Sequence, residues 1–202
     1  MPRAHCPHCS YPLPSCLCHA IKPYRHKSKL IILQHPSEVK SKKNTVRLLS
    51  LISDKIQIAN GETESDFDEL KRHIAASNET FALLYPSDQA INCSTFSQQR
   101  QKNESPVNLL VLDGTWRKVK KILLSNPWLL GLPHLTLVAI QKSQYGIRKT
   151  QIEGGLSTLE AVALALQELE GVSPKPALDM LQALKQAFTR KMPNEVKNRY
   201  DI

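Results

Sequence analysis

Long apolar runs are missing from this 202-residue chain. No stretch approaches the roughly 20 apolar residues needed to cross a bilayer, so no membrane partner is expected. The opening residues, Met1-Pro-Arg-Ala-His-Cys6, lack the apolar core of a secretory signal, and the expected compartment is the cytoplasm. Acid is short relative to base, with 18 Asp+Glu against 27 Lys+Arg and a formal net charge of +9. That balance says nothing of fold but favours a polyanionic partner, a bias that ribosomal and membrane-surface proteins share. Cysteine is nearly absent beyond residue 18, where only Cys93 stands, with no evident purpose. There is no internal repeat, and the length fits one domain with a small appendage.

What is present begins with a cluster. Four of the five cysteines lie as Cys6-Pro-His-Cys9 and Cys16-Leu-Cys18. A short turn, stiffened by Pro7, aims the first two sulfurs at one point, and residues 10–15 can fold back to deliver the second pair. Four thiolates so placed suit a tetrahedral zinc with no open position, hence a structural one. The Cys-x-Cys half is the less usual spacing, and His5, His8 and His19 are nearby substitutes. Disulfides are the alternative, disfavoured in a reducing cytosol. No obligate protein partner is implied.

The run Val107-Asn-Leu-Leu-Val-Leu-Asp113-Gly-Thr-Trp116 reads as a buried strand that ends on an acid and a glycine. Trp116, Val119 and Leu123 then fall at helical spacing. Asp113 therefore sits at the carboxyl end of a strand, where open α/β sheets place ligands, and Gly114 permits close backbone approach. An N-cap is the alternative role for that aspartate.

The rest of the chain alternates. Strands are expected at residues 29–34, 55–59, 80–85 and 134–140, with a basic helix through Leu48 to Ile52 and an amphipathic one marked by Phe67, Leu70 and Ile74. Residues 88–105 are polar and read as a mobile surface loop. The order is that of an α/β protein with a mostly parallel sheet. Ser157 and Glu160 form a capping box at the start of a helix whose apolar residues spread almost all round. Such a helix is buried, and its amino terminus favours carboxylates or phosphates. Gly171 and Pro174 stop it. A last helix keeps Ala177, Leu181, Leu184 and Phe188 on one face.

Four motifs in register resemble the DTW-domain family of tRNA-uridine aminocarboxypropyltransferases. They are the cysteine quartet, His35-Pro36-Ser37-Glu38 with Asn44-Thr45, Asp113-Gly-Thr-Trp116, and Ser143-Gln-Tyr145-Gly-Ile-Arg148-Lys149 followed by Leu156-Ser-Thr-Leu-Glu-Ala161. Val46 follows Asn44-Thr45 where that family leads one to expect glycine. The resemblance implies a SPOUT-like, mostly parallel sheet at residues 28–202 with a C-terminal knotted cofactor site, plus a zinc-binding appendage at residues 1–27. It implies S-adenosylmethionine as donor, held by three loops. These are Leu84, Tyr85 and Pro86; Leu112, Asp113, Gly114, Thr115 and Trp116; and the loop entering Ser157, Thr158 and Glu160.

For such a reaction the N3 proton of a uridine must be removed, and Asp113 is the candidate general base. Its rival role is to hold the cofactor's amino group. Ser157, Thr158 and the helix N–H groups are placed to receive the cofactor's carboxylate, and Trp116 to stack on a base or to join the core. Basic residues near the loops would grip tRNA phosphates: Lys40, Lys42, Lys43 and Arg47; Arg117, Lys118 and Lys121; Arg148 and Lys149. Two other functions compete: a SPOUT-type RNA methyltransferase, and a non-catalytic zinc-containing RNA-binding protein.

Overall fold

Leu109 to Leu112 can be an unbroken apolar run because both faces of their strand are covered. In the computed structural model, which describes residues 4–41, 43–101, 104–138 and 155–190, six strands form one sheet. They are β1 (Leu30–Gln34), β2 (Ile56–Asn60), β3 (Phe81–Leu84), β4 (Ile91–Asn92), β5 (Asn108–Asp113) and β6 (His134–Thr136). Their order is β2-β1-β5-β3-β6-β4, and every pairing is parallel. All six residues of β5 and all five of β1 are buried.

The period of two sorts these side chains onto two cores. Leu109 and Val111 of β5, with Leu30 and Ile32 of β1, face helices α1 (Val46–Ile52), α5 (Thr158–Glu170) and α6 (Lys175–Thr189). Leu110 and Leu112, with Ile31 and Leu33, face α2 (Asp68–Ala76) and α4 (Trp116–Leu124). Each fully buried leucine here contributes about 2 kcal/mol. The same parity puts Asp113 and Gln34 on the α5 side of the sheet.

Crossovers explain why a crevice opens at these strand ends. The chain leaves β1 toward α1 on one face, and leaves the adjacent β5 toward α4 on the other. Diverging connections part the loops at the carboxyl ends, which is the switch-point geometry that binds ligands in open α/β sheets.

The polar stretch at residues 88–105 departs from expectation. It is not simply a surface loop: it contains β4 and a helix, α3 (Cys93–Gln99). Only Cys93 and Phe96 carry apolar weight, so a seven-residue helix leaves too short a pattern to read. Packing against α5 decides it, with Cys93 fully buried, Phe96 against the core, and the Ser97 hydroxyl donating to Leu169 O at 2.8 Å. Burial, aided by the Glu168 charge, pushes the Cys93 thiol up to about 12, as suits a packing residue.

The closing helices follow their signals. Ser157 and Glu160 form the capping box of α5, and Gly171 ends it with a left-handed φ of 69° that a side chain would resist. Residues 139–154, most of the chain between β6 and α5 where the expected knot would lie, are outside the described residues. Among the described residues no helix is long and apolar enough to cross a membrane.

The amino-terminal segment is packed into the domain. Cys6, Cys9, Tyr11 and Leu17 belong to the same buried cluster as α1, α5 and α6. Arg47 of α1 reaches back to it, donating to Cys9 O at 3.0 Å and lying 4.3 Å above the Tyr11 ring.

Candidate active site and metal centre

Asp113 closes β5 directly beside Gln34, its register partner at the end of β1. It is 3% exposed. Three side chains from three separate segments donate to its carboxylate. Thr158 Oγ1 gives to Oδ1 at 2.5 Å, Gln34 Nε2 to Oδ2 at 2.9 Å, and Asn44 Nδ2 to Oδ2 at 3.4 Å. The N-cap of α4 is Thr115, so the aspartate is not capping that helix. One carboxylate instead ties β1, the loop before α1 and the first turn of α5 to the end of β5. Gly114 follows because a Cβ there would stand 3.0 Å from the Lys118 Cβ and 3.6 Å from that of His35.

An open cavity lies beside these bonds at the strand ends, walled by residues from both faces of the sheet, Thr158 and Ala161 of α5 and Trp116 and Val119 of α4 among them. Of the residues the sequence nominated, Leu84, Tyr85, Pro86, Leu112, Gly114, Trp116 and Thr158 line it. Asp113, Thr115, Ser157 and Glu160 do not. Asp113 reaches it through Thr158, while Ser157 and Glu160 are spent on each other: Ser157 N and Oγ donate to Glu160 Oε2 at 2.8 and 2.7 Å. The Ser157 hydroxyl also accepts from Glu160 N, and Leu159 N donates to Thr45 Oγ1. The amino terminus of α5 is thus largely satisfied from within. Trp116, at 42% exposed, stands at the cavity rim rather than in the core.

Sequence reasoning missed the far wall, which comes from Leu135, Thr136 and Leu137, with Leu156 and Ala161. Leu156 and Ala161 bound the last family motif without having been nominated, and no local motif marks Leu135, Thr136 or Leu137. Gln34 left a fainter signal, since it ends an apolar strand with a polar group just as Asp113 does.

On the other side of the turn, charges replace apolar surface. Lys118 pairs with the buried Glu38 at 2.8 Å, and Glu62 takes Lys121 at 2.6 Å and His35 Nε2 at 2.6 Å. Lys121 first, with His35 behind it, holds the Glu62 carboxyl below its usual range. Lys118 and Lys121 therefore fasten α4 to the loops after β1 and β2. Arg117 and Lys120 are exposed on the same helix, as is Lys40 beside the first loop, and Lys43 is half-buried there. Lys42, Arg148 and Lys149 lie outside the described residues.

The second candidate site is the cysteine cluster. Cys6 and Cys18 sulfurs lie 3.5 Å apart and those of Cys9 and Cys16 3.7 Å, with all four Sγ atoms within 4.8 Å of one another. No pair is bonded. Four ligands about 2.3 Å from a central zinc stand about 3.8 Å apart, so the donor set fits one tetrahedral ion. Backbone N–H groups of Cys9 and His8 hold the Cys6 thiol down to about 6, while hydrogen bonding with Cys16 and burial push Cys18 up to about 12, so the shared charge of the cluster settles first on Cys6. His5, His8 and His19 are not needed to complete the set.

A family signature spans nearly all of this. The DTW domain matches residues 3–192. The chain belongs to the DTW-domain family. Among curated relatives, tRNA-uridine aminocarboxypropyltransferase 2 of Drosophila melanogaster is 34% identical over 175 residues, covering 83% of this DTW protein and 67% of the fly protein. Its Mus musculus counterpart is 33% identical over 176 residues and is covered over 57% of its length. tRNA-uridine aminocarboxypropyltransferase A of Arabidopsis thaliana is 26% identical over 214 aligned residues, 91% of this chain and 79% of that protein. No solved structure matches.

Proposed function

We propose that this DTW protein transfers the aminocarboxypropyl group of S-adenosylmethionine to N3 of a tRNA uridine. The observation that carries the reading is the Asp113-Gly-Thr-Trp116 turn, set at a parallel-sheet switch point beside an apolar cavity, in a chain whose curated relatives are named tRNA-uridine aminocarboxypropyltransferases.

The cavity's composition fits the donor. Leu84, Val111, Leu112, Leu135 and Leu137 offer an apolar slot for an adenine ring. Thr158 donates its hydroxyl hydrogen bond to Asp113, so its oxygen keeps lone pairs for the cavity with a carboxylate directly behind. Such an arrangement suits an ammonium group and supports the anchor role for Asp113 over that of a direct base. Bound there, S-adenosylmethionine would supply a sulfonium-activated carbon chain. Trp116 at the rim is placed to stack on an extruded uridine, with Arg117 and Lys120 toward the adjoining phosphates. Cys6, Cys9, Cys16 and Cys18 would hold a structural zinc.

The test is mass spectrometry of nucleosides from tRNA incubated with the protein and S-adenosylmethionine. Aminocarboxypropyluridine together with methylthioadenosine is the expected result. A methylated nucleoside with S-adenosylhomocysteine would make the protein a methyltransferase. Cofactor binding below detection, with tRNA still bound, would leave an RNA-binding module.

A further inference from the structure

Among the described residues that line the cavity, the polar side-chain oxygens are hydroxyls alone, those of Tyr85, Thr136 and Thr158. The same residues include no acid, histidine, lysine or cysteine. Asp113, which meets the cavity through Thr158, already accepts from Thr158, Gln34 and Asn44. Yet a uridine imide must lose its N3 proton to become a nucleophile, and a positioned base is the ordinary means.

One buried imidazole stands behind the wall. His134, 3% exposed, opens β6, and the next three residues of that segment line the cavity. The ring of Tyr85, itself a lining residue, meets it edge-on with centroids 6.1 Å apart. His134 Nε2 lies 3.2 Å from Leu129 O. A carbonyl only accepts, so Nε2 carries the hydrogen and Nδ1 carries the lone pair. Nδ1 is 2.7 Å from the Ser87 hydroxyl, which must donate to it. Ser87 directly follows Tyr85 and Pro86, the two lining residues of the loop after β3. Neither Ser87 nor His134 is among the lining residues, but the serine sits one residue beyond them, and with its hydrogen on Nδ1 its oxygen keeps lone pairs to accept another.

We propose that Ser87 and His134 form the relay that takes the uridine proton. The inference rests on the transfer reaction proposed above. The N3–H bond breaks as its proton passes to Ser87 Oγ, and the Ser87 proton moves to His134 Nδ1. The N3 electron pair forms the new C–N bond, and the C–S pair departs on sulfur as methylthioadenosine. His134 ends as an imidazolium, its Nε2–H still on Leu129 O, and returns the proton to water after release.

The experiment compares wild type, Ser87→Ala, Ser87→Thr and His134→Gln, each first checked for an unchanged melting temperature and S-adenosylmethionine affinity. Substrates are ordinary tRNA and tRNA carrying fluorouridine, whose imide is the stronger acid and needs less help from a base. Ser87→Ala and His134→Gln are expected to lower kcat by about 100-fold or more with KM for tRNA little changed. Ser87→Thr, which keeps the hydroxyl, is expected to recover most of that loss. Fluorouridine is expected to rescue the two crippled variants far more than it speeds wild type. If Ser87→Ala keeps kcat within about threefold, or fluorouridine accelerates all four proteins alike, the relay is wrong. Variants that melt early or lose cofactor affinity would show a purely structural pair, which also overturns it. Wild-type protein that forms no methylthioadenosine would overturn the transfer reaction itself, and the relay with it.

Discussion

The cysteine cluster and the strand-end cavity each converge on one point, but the chain reaches those points differently. All four thiols lie between Cys6 and Cys18. The donors to Asp113 come from Gln34, Asn44 and Thr158, so one carboxylate gathers segments more than a hundred residues apart. A site drawn from one short segment has no core of its own and depends on what binds it. A site assembled from a sheet and two helices inherits its order from the core. Here the two are also coupled, because Arg47 leaves α1 for Cys9 while Asn44 and Thr45, just before α1, serve Asp113 and α5.

The largest effect that would test this contrast is metal removal. Chelation, or Cys9→Ser, should cost several kcal/mol and lower the melting temperature by about 10 °C or more. Elemental analysis should find one zinc per chain before treatment and none after. A metal-free protein with unchanged melting would break the comparison, since the cluster would then be held by packing alone.

Next comes the carboxylate. Asp113→Asn turns one acceptor oxygen into a donor facing Gln34, Asn44 or Thr158, at a cost of about 1–3 kcal/mol. The anchor role predicts S-adenosylmethionine binding weakened by at least about tenfold, since an amide cannot balance an ammonium. Calorimetric affinity left intact alongside abolished turnover would return Asp113 to the base role.

Arg47→Met measures the coupling between the two sites. It keeps an apolar stem but drops the bond to Cys9 O and the contact with Tyr11, and should cost about 1–2 kcal/mol in denaturant unfolding with zinc content unchanged. A larger loss of tRNA affinity than of stability would instead give Arg47 to the RNA.

Smallest is the charged flank. Glu62 has its pKa held down by Lys121 and His35, so its contribution is present in full above the ordinary value of 4.5 and is lost as pH falls through the lowered one. Glu62→Gln should therefore flatten the decline of stability at acid pH while leaving cofactor affinity at neutral pH unchanged. Equal acid sensitivity in both proteins would show that those surface pairs contribute little.

Much of this was legible without coordinates, for reasons specific to each element. Strands β1 and β5 announced themselves because parallel strands covered on both faces leave no polar positions to interrupt the run. The capping box and Gly171 marked α5 because backbone N–H groups and a left-handed φ demand particular residues. Helix α3 escaped, its two apolar residues being too few to set a period. Arg117, Lys118 and Lys121 read as an RNA-facing cluster, and the carboxylate partners of Lys118 and Lys121 went unread because a basic helix face looks alike whether it meets phosphate or carboxylate. Glu38 and Glu62, their partners, are distant in sequence.

By itself the sequence determined the family, the alternation of strands and helices, the cysteine quartet and the acid at the end of β5. Each is written in residue type and local spacing, which local sterics and hydrogen bonding read directly. Only the tertiary structure decided which loops share a cavity, that Asp113 reaches it through Thr158, and that His134 stands behind Tyr85 with Ser87 as its sole side-chain hydrogen-bond partner among the described residues. Those relations depend on strand order, and strand order is settled by how the whole apolar surface is buried at once.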